Sequence, residues 1–400
     1  MKNFWPLMKD IITAADKEAM IEFIKSTSRF TNGPKVREFE GRWSEWLRCK
    51  HSLFVSSGST ANYLLLAAIK ELHNFKEGDK VLVPTMTWVT NIAPIMQLGL
   101  EPIFCDINSH DFSFDKAHLN QIRQQHPDIK LIWITHLFGI AADVNYYKEL
   151  FPNALIAEDV CESHGVEIDD KRAGVFGEGG TFSFYFGHHM TTVEGGFVST
   201  NNTKLYELMR AKRSHGLARE MGRDAEQAII EKHPDVHPQF LFITDGYNFR
   251  NVEINAVLGL SQLKNLDSSI VERKNNLDRF IKLLNYPEFD TNFKTEGNSS
   301  FILPFLCESS ELKKKLEEYL STNGVETRPL CSGNLLRQPF LQHLNIDLEN
   351  YPKVDALHFK GFYIGNSHLI TEEDWLKLEA LIDKFMIAYK EKNKNIKRKA

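Results

Sequence analysis

Two adjacent histidines in a polar loop are the first candidates for chemistry. His188 and His189 lie in the segment GTFSFYFGHHMTTVEGGFVST (180–200), after a predicted strand that ends at Ser183. An imidazole titrates near neutral pH and can act as a general base. A metal site is disfavoured, because neighbouring side chains diverge and no third ligand has suitable spacing. An ordinary polar histidine pair is the alternative.

A turn of small residues, SSGSTAN (56–62), is a candidate anion site. It lies between a predicted strand and a predicted helix, where backbone N–H groups, hydroxyls and the positive helix end favour negative charge. Gly58 and Ser59, together with Ser57 and Thr60, could therefore hold a phosphate. A simple helix N-cap at Ser59 explains the same pattern equally well.

A carboxylate ends the apolar strand NALIAED (153–159), within the motif EDVCESHG (158–165). Ligands of open α/β sheets lie outside the carboxyl ends of the strands, so Asp159 is a candidate ion partner for a cofactor. The alternative is an exposed aspartate that caps the next turn. A further turn, GYNFR (246–250), precedes an amphipathic helix and on its own predicts only a helix start.

The elements around these residues predict an α/β protein. Short apolar strands such as KVLVP (80–84) alternate with helical segments, which is typical of a mostly parallel sheet covered on both faces. We expect a large domain over 1–270, including an N-terminal arm, a smaller α+β domain over 271–390, and a basic tail over 391–400.

The composition excludes several classes of protein. The chain has 48 basic and 53 acidic residues, a net charge of −5, which argues against a general nucleic-acid binder. No apolar run reaches the roughly 20 residues of a membrane span, and the start lacks the apolar stretch of a signal peptide. Five dispersed cysteines disfavour a disulfide scaffold and an iron–sulfur cluster. We therefore expect a cytoplasmic protein that binds neither nucleic acid nor membrane.

Together, the motifs resemble the DegT/DnrJ/EryC1/StrS group of sugar aminotransferases, which are pyridoxal-phosphate enzymes. The resemblance covers most of the chain, in order and spacing, through FTNGPKVREFE (30–40), VSSGSTAN, VPTMTW, EDVCESHG, FSFYFGHHMTTVEGG, GYNFRNVEINAVLGLSQL and VETRPL (325–330). Several motifs in register are far more specific than any one alone. The resemblance implies an aspartate-aminotransferase-like (fold type I) architecture and a homodimer with shared active sites.

One position departs from the family pattern, which reads approximately S-F-x-x-x-K-N-x-x-x-x-E-G-G. The lysine of that pattern binds the cofactor covalently. Counted from Ser183, with the register fixed by Glu194, its place is taken by His188. Imidazole has no primary amine and cannot make that bond. The chain therefore resembles the 3-dehydratase branch of the family, with pyridoxal phosphate or pyridoxamine phosphate held non-covalently.

That branch implies a function and a set of site residues. The reaction removes the C3 hydroxyl of a nucleotide-linked 4-keto-6-deoxyhexose, above all GDP-4-keto-6-deoxy-D-mannose, for O-antigen or capsule synthesis. His188 is implied as the catalytic acid and base, and L-glutamate as the donor that restores pyridoxamine phosphate. By matched position, the cofactor-binding residues are Gly58, Ser59, Trp88, Asp159, Glu162, Ser183 and Asn248, the last from the neighbouring subunit. Weaker substrate candidates are His215, Arg219 and Arg328, and no metal is expected.

The implied roles differ along the cofactor. Asp159 pairs with the ring nitrogen, Trp88 stacks on the ring, Glu162 lies near the phenolic oxygen, and the glycine and serines hold the phosphate. Two alternatives stay open. One is a nucleotide-sugar aminotransferase that uses another base, and the other is a regulator or scaffold without catalysis. The retained Asp159 and Ser183 disfavour the second.

Overall fold

The computed structural model describes residues 3–397. Its twelve β-strands are β1 (His51–Val55), β2 (Lys80–Pro84), β3 (Glu101–Cys105), β4 (Leu131–Thr135), β5 (Leu155–Asp159), β6 (Glu167–Ile168), β7 (Lys171–Arg172), β8 (Gly179–Ser183), β9 (Gly196–Thr200), β10 (Ile302–Leu306), β11 (Thr327–Pro329) and β12 (Gly361–Gly365). The predicted strand 80–84 coincides with β2, and the predicted strand 153–159 begins two residues before β5.

The larger sheet has seven strands in the order β1-β9-β8-β5-β4-β2-β3. β9 runs antiparallel to both of its neighbours, and the remaining pairings are parallel. All residues of the apolar strand β4 are buried, as expected for a central strand covered on both faces. Because β4, β5 and β8 run in the same direction, their carboxyl ends lie at one edge of the sheet.

Within residues 3–397 the α-helices are α1 (Ala14–Ser26), α2 (Pro34–Leu47), α3 (Gly58–Leu72), α4 (Ala93–Gln97), α5 (Lys116–Gln125), α6 (Val144–Leu150), α7 (Thr203–Arg213), α8 (Arg223–Ile230), α9 (Glu253–Leu263), α10 (Leu266–Leu283), α11 (Ser310–Thr322), α12 (Pro352–Lys360) and α13 (Glu372–Lys397). None of these helices is both long enough and apolar enough to cross a membrane.

The smaller sheet has three antiparallel strands in the order β10-β12-β11. Its core contains apolar side chains of α10, α11 and α13. Trp5 is buried in that core and donates from Nε1 to the carbonyl oxygen of Gly365 at 2.9 Å. The start of the N-terminal arm therefore packs on the smaller sheet, whereas the sequence analysis assigns it to the large domain. The domain boundaries themselves stay a prediction.

Residues 252–285 form two helices, α9 and α10, and residues 87–99 contain a short 3-10 turn and α4, which has Pro94 in its first turn. In the loop before β10, Ser299 and Ser300 are fully buried. The expected tail is helical as far as Lys397, where α13 ends, and its residues 398–400 lie outside the described range.

Candidate functional site

A cavity of about 500 Å³ lies at the carboxyl ends of β4, β5 and β8. We call it the main cavity. It brings together seven of the predicted site residues, namely Gly58, Ser59, Trp88, Asp159, Glu162, Ser183 and His188. The strand order explains this convergence, because Asp159 ends β5 and Ser183 ends β8, the strand beside it.

One end of the main cavity is built for an anion. Ser57 and Thr60 form a capping box at the start of α3, so the N-cap is Ser57 and not Ser59. Ser59 lies in the first turn and faces the cavity. A Cβ atom at Gly58 would lie 2.6 Å from the Cβ of Ser183, so only glycine allows this close approach. The helix N-terminus and the hydroxyls together can hold a phosphate.

The opposite end carries a buried carboxylate. Asp159 is only 3% exposed, which excludes the exposed capping aspartate. It accepts hydrogen bonds from Asn62 Nδ2 at 2.9 Å and from the backbone N–H of Cys161 at 2.8 Å. Between residues 3 and 397, no lysine, arginine or histidine forms an ion pair with it. A buried carboxylate without a cation is costly, so this end suits a ligand with a protonated nitrogen.

Glu162 is the second carboxyl group in the main cavity. It accepts a hydrogen bond from the backbone N–H of Phe138 at 3.2 Å. Burial, with a smaller contribution from the negative charge of Asp159, raises the pKa of Glu162 to about 7. The raised pKa keeps a protonated form of Glu162 accessible near neutral pH, and in that form it can donate a hydrogen bond to a ligand oxygen.

His188 lies in the wall of the same cavity. Its ring stacks on Phe301, with a centroid separation of 5.3 Å and an interplanar angle of 21°. Its Nδ1 atom is buried and has no hydrogen-bond partner. Burial first, and the positive charge of Arg273 second, lower the pKa of His188 to about 3. The imidazole is therefore neutral at physiological pH and available as a base.

The two adjacent histidines have different surroundings. His189 is 2% exposed, donates from Nε2 to the carbonyl oxygen of Ser299 at 2.8 Å, and lies with Nδ1 3.3 Å from Nδ1 of His164. The described residues contain no cluster of three or more histidine, cysteine or acidic side chains placed to bind a metal ion. His188, rather than His189, is thus the histidine that faces the cavity.

Trp88 lies at the opening of the main cavity and is 55% exposed. Trp88 is therefore not a core aromatic. Tyr185, also half-exposed, lines the same opening.

The remaining predicted residues lie elsewhere. Asn248 and Arg219 line a separate cleft of about 610 Å³, which also contains Arg29, Arg37 and Arg250. We call it the arginine cleft. His215 borders it, with Nε2 3.4 Å from Nη2 of Arg250. Arg328 lies outside both sites, exposed on β11 beside Tyr363 of β12.

The lining residues that the sequence did not single out include Met8, Asn62, Phe301 and Tyr363. Asn62 lies in the motif SSGSTAN, and its position one turn inside α3 could have signalled an inward-facing amide. The other three come from the N-terminal arm and the smaller sheet. Their local sequence carries no sign that they meet the ends of β5 and β8.

The sequence profile described as the DegT/DnrJ/EryC1/StrS aminotransferase family matches residues 10–380. The chain is 30% identical over 373 residues to "GDP-4-keto-6-deoxy-D-mannose 3-dehydratase" of Escherichia coli O55:H7, covering 89% of this chain and 94% of the relative. It is 29% identical over 331 residues to "GDP-perosamine synthase" of Escherichia coli O157:H7, covering 82% and 85%.

Solved structures resemble the whole chain. A crystal structure of GDP-4-keto-6-deoxymannose-3-dehydratase, a histidine-to-asparagine mutant with bound GDP-perosamine, superposes with a TM-score of 0.86 at 27% identity, covering 94% of this chain and 99% of that one. Another, with a trapped PLP-glutamate geminal diamine, gives 0.84 at 28% identity with the same coverage. The predicted α/β fold is confirmed.

Proposed function

This chain belongs to the DegT/DnrJ/EryC1/StrS aminotransferase family, and on that premise we propose that it is a pyridoxal-phosphate-dependent 3-dehydratase. Its substrate is a nucleotide-linked 4-keto-6-deoxyhexose, and relatives named for GDP-4-keto-6-deoxy-D-mannose favour that sugar. The observation that carries the proposal is His188, a neutral imidazole in the cavity wall where the family pattern has a lysine.

The main cavity fits the cofactor at both ends. The start of α3, with Gly58, Ser59 and Ser183, holds the phosphate, and Asp159 holds a proton on the ring nitrogen. Trp88 covers the ring from the cavity opening. The cofactor supplies an electron sink conjugated to the substrate carbon. Because His188 lacks a primary amine, all of these contacts are non-covalent.

His188 moves the protons. It accepts a proton from the C4′ carbon of the cofactor when the C3 hydroxyl leaves the sugar. When glutamate is the amine donor, it returns a proton to that same carbon. A positioned general base of this kind contributes about 10²–10⁴ in rate. An anionic group bound beside His188 would raise its pKa from the value in the chain alone, because nearby anions stabilise imidazolium.

The overall reaction balances with one amine donor per turnover. Replacing C3–OH by C3–H takes up two electrons, which L-glutamate supplies as it becomes 2-oxoglutarate, with release of one ammonia. Glu162, when protonated, donates a hydrogen bond to the cofactor's phenolic oxygen and loses that ability as it ionises. The nitrogen does not remain on the sugar.

The arginine cleft completes the site in a homodimer. Asn248, Arg219 and His215 lie outside the main cavity of their own chain, so they reach bound phosphates only in a neighbouring copy. Four arginines in one cleft suit the diphosphate of a nucleotide sugar. Arg328 is retained as a weaker candidate at the rim, beside Tyr363. A cytoplasmic location and a role in O-antigen or capsule synthesis stay predictions.

The second candidate is a nucleotide-sugar aminotransferase, which is favoured by the similarity to GDP-perosamine synthase. Its product would retain the nitrogen. The absence of a lysine at position 188 counts against it, because the amine exchange of that reaction is assisted by a primary amine.

Product analysis tests the proposal. The purified protein is incubated with pyridoxal phosphate, L-glutamate and a panel of GDP-, dTDP-, CDP- and UDP-linked 4-keto-6-deoxysugars. We expect a product lighter by one oxygen, with ammonia released, for one nucleotide above the others. A product in which an amine replaces the ketone oxygen would overturn the dehydratase and favour the aminotransferase.

A His188→Lys variant separates the two functions further. We expect it to gain the absorbance of covalently attached cofactor and to lose dehydration. Undiminished dehydration by this variant would mean that His188 does not carry the reaction.

A further inference from the structure

Arg273 on α10 is a buried guanidinium without an acidic partner. It is 3% exposed. Its Nη1 atom donates to two backbone carbonyl oxygens, of Phe301 at 3.3 Å and of Asn366 at 2.7 Å. Its Nε atom is buried without any partner. Throughout residues 3–397, no aspartate or glutamate forms an ion pair with Arg273.

An unpaired buried cation is expensive. Burial alone lowers the pKa of Arg273 to about 10, so the side chain is still charged at neutral pH. Two carbonyl dipoles offset only part of the cost of removing a full charge from water. A guanidinium has five N–H donors in a planar fork that matches a carboxylate. The free donors and the uncompensated charge therefore favour an anionic ligand.

Arg273 adjoins the main cavity. It lines a small void of about 10 Å³, together with Met8, Gly187, His188 and Asn366. Three of these residues, Met8, Gly187 and His188, also line the main cavity. The void that Arg273 lines and the main cavity are therefore separated by side chains that line both.

Met8 separates the two spaces. A Cβ atom at Gly187 would lie 2.2 Å from the Sδ atom of Met8, so the thioether occupies the room that a side chain would need. The void accepts about one water molecule, and a carboxylate therefore needs Met8 to move. Methionine is unbranched and adapts its rotamers at low cost, which makes it a suitable wall for a transient ligand.

The other groups around Arg273 do not neutralise it. His164, His188, His189 and His368 all have lowered pKa values, with burial as the largest cause and the charge of Arg273 contributing. These imidazoles are therefore neutral. Lys9, which also lines the void, is paired with Asp374 at 2.6 Å.

We propose that Arg273 binds the α-carboxylate of the amine donor, beside the base that handles its Cα proton. The proposal rests on the proposed function, since it assigns the donor site of that enzyme. A carboxylate held by Arg273 lies next to His188, so the same imidazole serves both the sugar and the donor. In this assignment, selectivity for the amine donor depends on α10.

Donor selectivity tests the assignment. L-Glutamate is compared with 4-aminobutyrate, which is glutamate without its α-carboxylate, as the donor that converts bound pyridoxal phosphate to pyridoxamine phosphate, followed by absorbance. We expect the wild type to prefer glutamate by at least 10-fold. Arg273→Met reduces this preference by roughly 10–150-fold, as expected for a hydrogen bond to a charged group. The preference is a ratio of two donors in the same variant, so a change in the pKa of His188, which acts on both donors, does not enter it.

Binding provides a readout independent of turnover. Calorimetric titration of the cofactor-free chain with glutamate and with 4-aminobutyrate should show weaker glutamate binding in Arg273→Met and no change for 4-aminobutyrate. Arg273→Lys keeps the charge, and we expect an intermediate loss. The control Arg279→Met removes a solvent-accessible arginine of α10 that pairs with Glu372 and Glu379, and it should leave donor selectivity intact.

The two proposals fail in distinguishable ways. If the sugar is not dehydrated by wild-type protein preloaded with pyridoxamine phosphate, the proposed function is wrong, while donor selectivity is still measured. If Arg273→Met retains the wild-type preference for glutamate, or the wild type does not discriminate between the donors, the assignment of Arg273 is wrong. If Arg273→Met does not fold, Arg273→Lys and the wild-type comparison still decide.

Discussion

The main cavity and the arginine cleft differ in what a single chain supplies. In the main cavity, Asp159 and Glu162 are held below the surface by backbone and amide donors, and His188 is neutral beside them. In the arginine cleft, Arg219 and Arg250 are exposed. One region is assembled by the fold of one chain, whereas the other is an open, positively charged surface.

This difference shows that proton transfer and diphosphate recognition need different surroundings. Proton transfer needs perturbed pKa values, and these require burial among fixed neighbours. Recognition of a diphosphate needs mainly positive charge, which keeps its hydration until the ligand arrives. In the homodimer that we propose, a shared site uses both, with the main cavity of one copy facing the arginine cleft of the other.

The largest expected effect is the difference between two histidine-to-asparagine substitutions, one in each region. His188→Asn removes the base of the main cavity and should lower kcat by about 10²–10⁴. His215→Asn, at the arginine cleft, should raise KM for the nucleotide sugar and leave kcat nearly unchanged. Steady-state kinetics of both variants provide the measurement. Equal losses of kcat at the two positions would remove the distinction between the regions.

Complementation between two impaired chains gives the next largest effect. A His188→Asn chain is co-expressed with an Arg219→Ala/Arg250→Ala chain, and the mixed dimer is purified through two tags. The assay uses nucleotide sugar well below the wild-type KM, where a raised KM lowers the rate. One site of the mixed dimer carries both lesions and the other carries neither, so we expect roughly half of the wild-type activity. The two parent homodimers are the controls, and a mixed dimer no more active than the mean of its parents would show that the two regions do not combine across subunits.

A single charge in the arginine cleft has a smaller effect. Arg219→Ala should raise KM for the nucleotide sugar by about 10-fold, the lower range for a hydrogen bond to a charged group. The effect should shrink as ionic strength rises, because the cleft is open to screening. Arg42→Ala, which breaks a surface pair with Glu45, is the control. A change confined to kcat would contradict a role in binding.

The pH dependence of stability should show the smallest effect. The lowered pKa values of His164, His188 and His189 mean that the unfolded chain binds more protons below pH 6.5, so stability falls as pH decreases from 6.5. The raised pKa of Glu162 acts oppositely between about 4.5 and 7, but one carboxyl does not offset three imidazoles.

Urea unfolding of the cofactor-free chain between pH 7 and pH 5 measures this slope. His188→Gln should reduce it by up to about 1.4 kcal/mol per pH unit. An identical slope for wild type and His188→Gln would mean that His188 protonates freely in the folded chain.

Sequence patterns predict which polar side chains lie at the ends of strands. Because parallel strands bring their carboxyl ends to one edge of the sheet, such side chains are expected to lie close together. Asp159 and Ser183 end β5 and β8, and the motif register singled out His188, which lines the same cavity. The same patterns could not separate buried His189 from His188, since both lie in one loop and only the packing on Ser299 and Phe301 distinguishes them.

Long-range contributions could not be predicted from local patterns. Met8 belongs to the N-terminal arm, Phe301 immediately precedes β10, and Arg273 belongs to α10. These three residues come together only when the smaller sheet packs on the larger one. A buried arginine also has no periodic signature that distinguishes it from an exposed one. Trp88, in contrast, was identified from a sequence motif, and the structure adds that its side chain is exposed at the cavity opening.

The fate of nitrogen tests the central claim most directly, namely that a histidine at position 188 makes this enzyme a dehydratase. The wild-type protein is given ¹⁵N-labelled L-glutamate and GDP-4-keto-6-deoxy-D-mannose, and the label is followed by NMR and mass spectrometry. We predict that the label appears as ammonium, one for each 2-oxoglutarate formed, with none in the nucleotide sugar. Retention of ¹⁵N on the sugar would contradict the account.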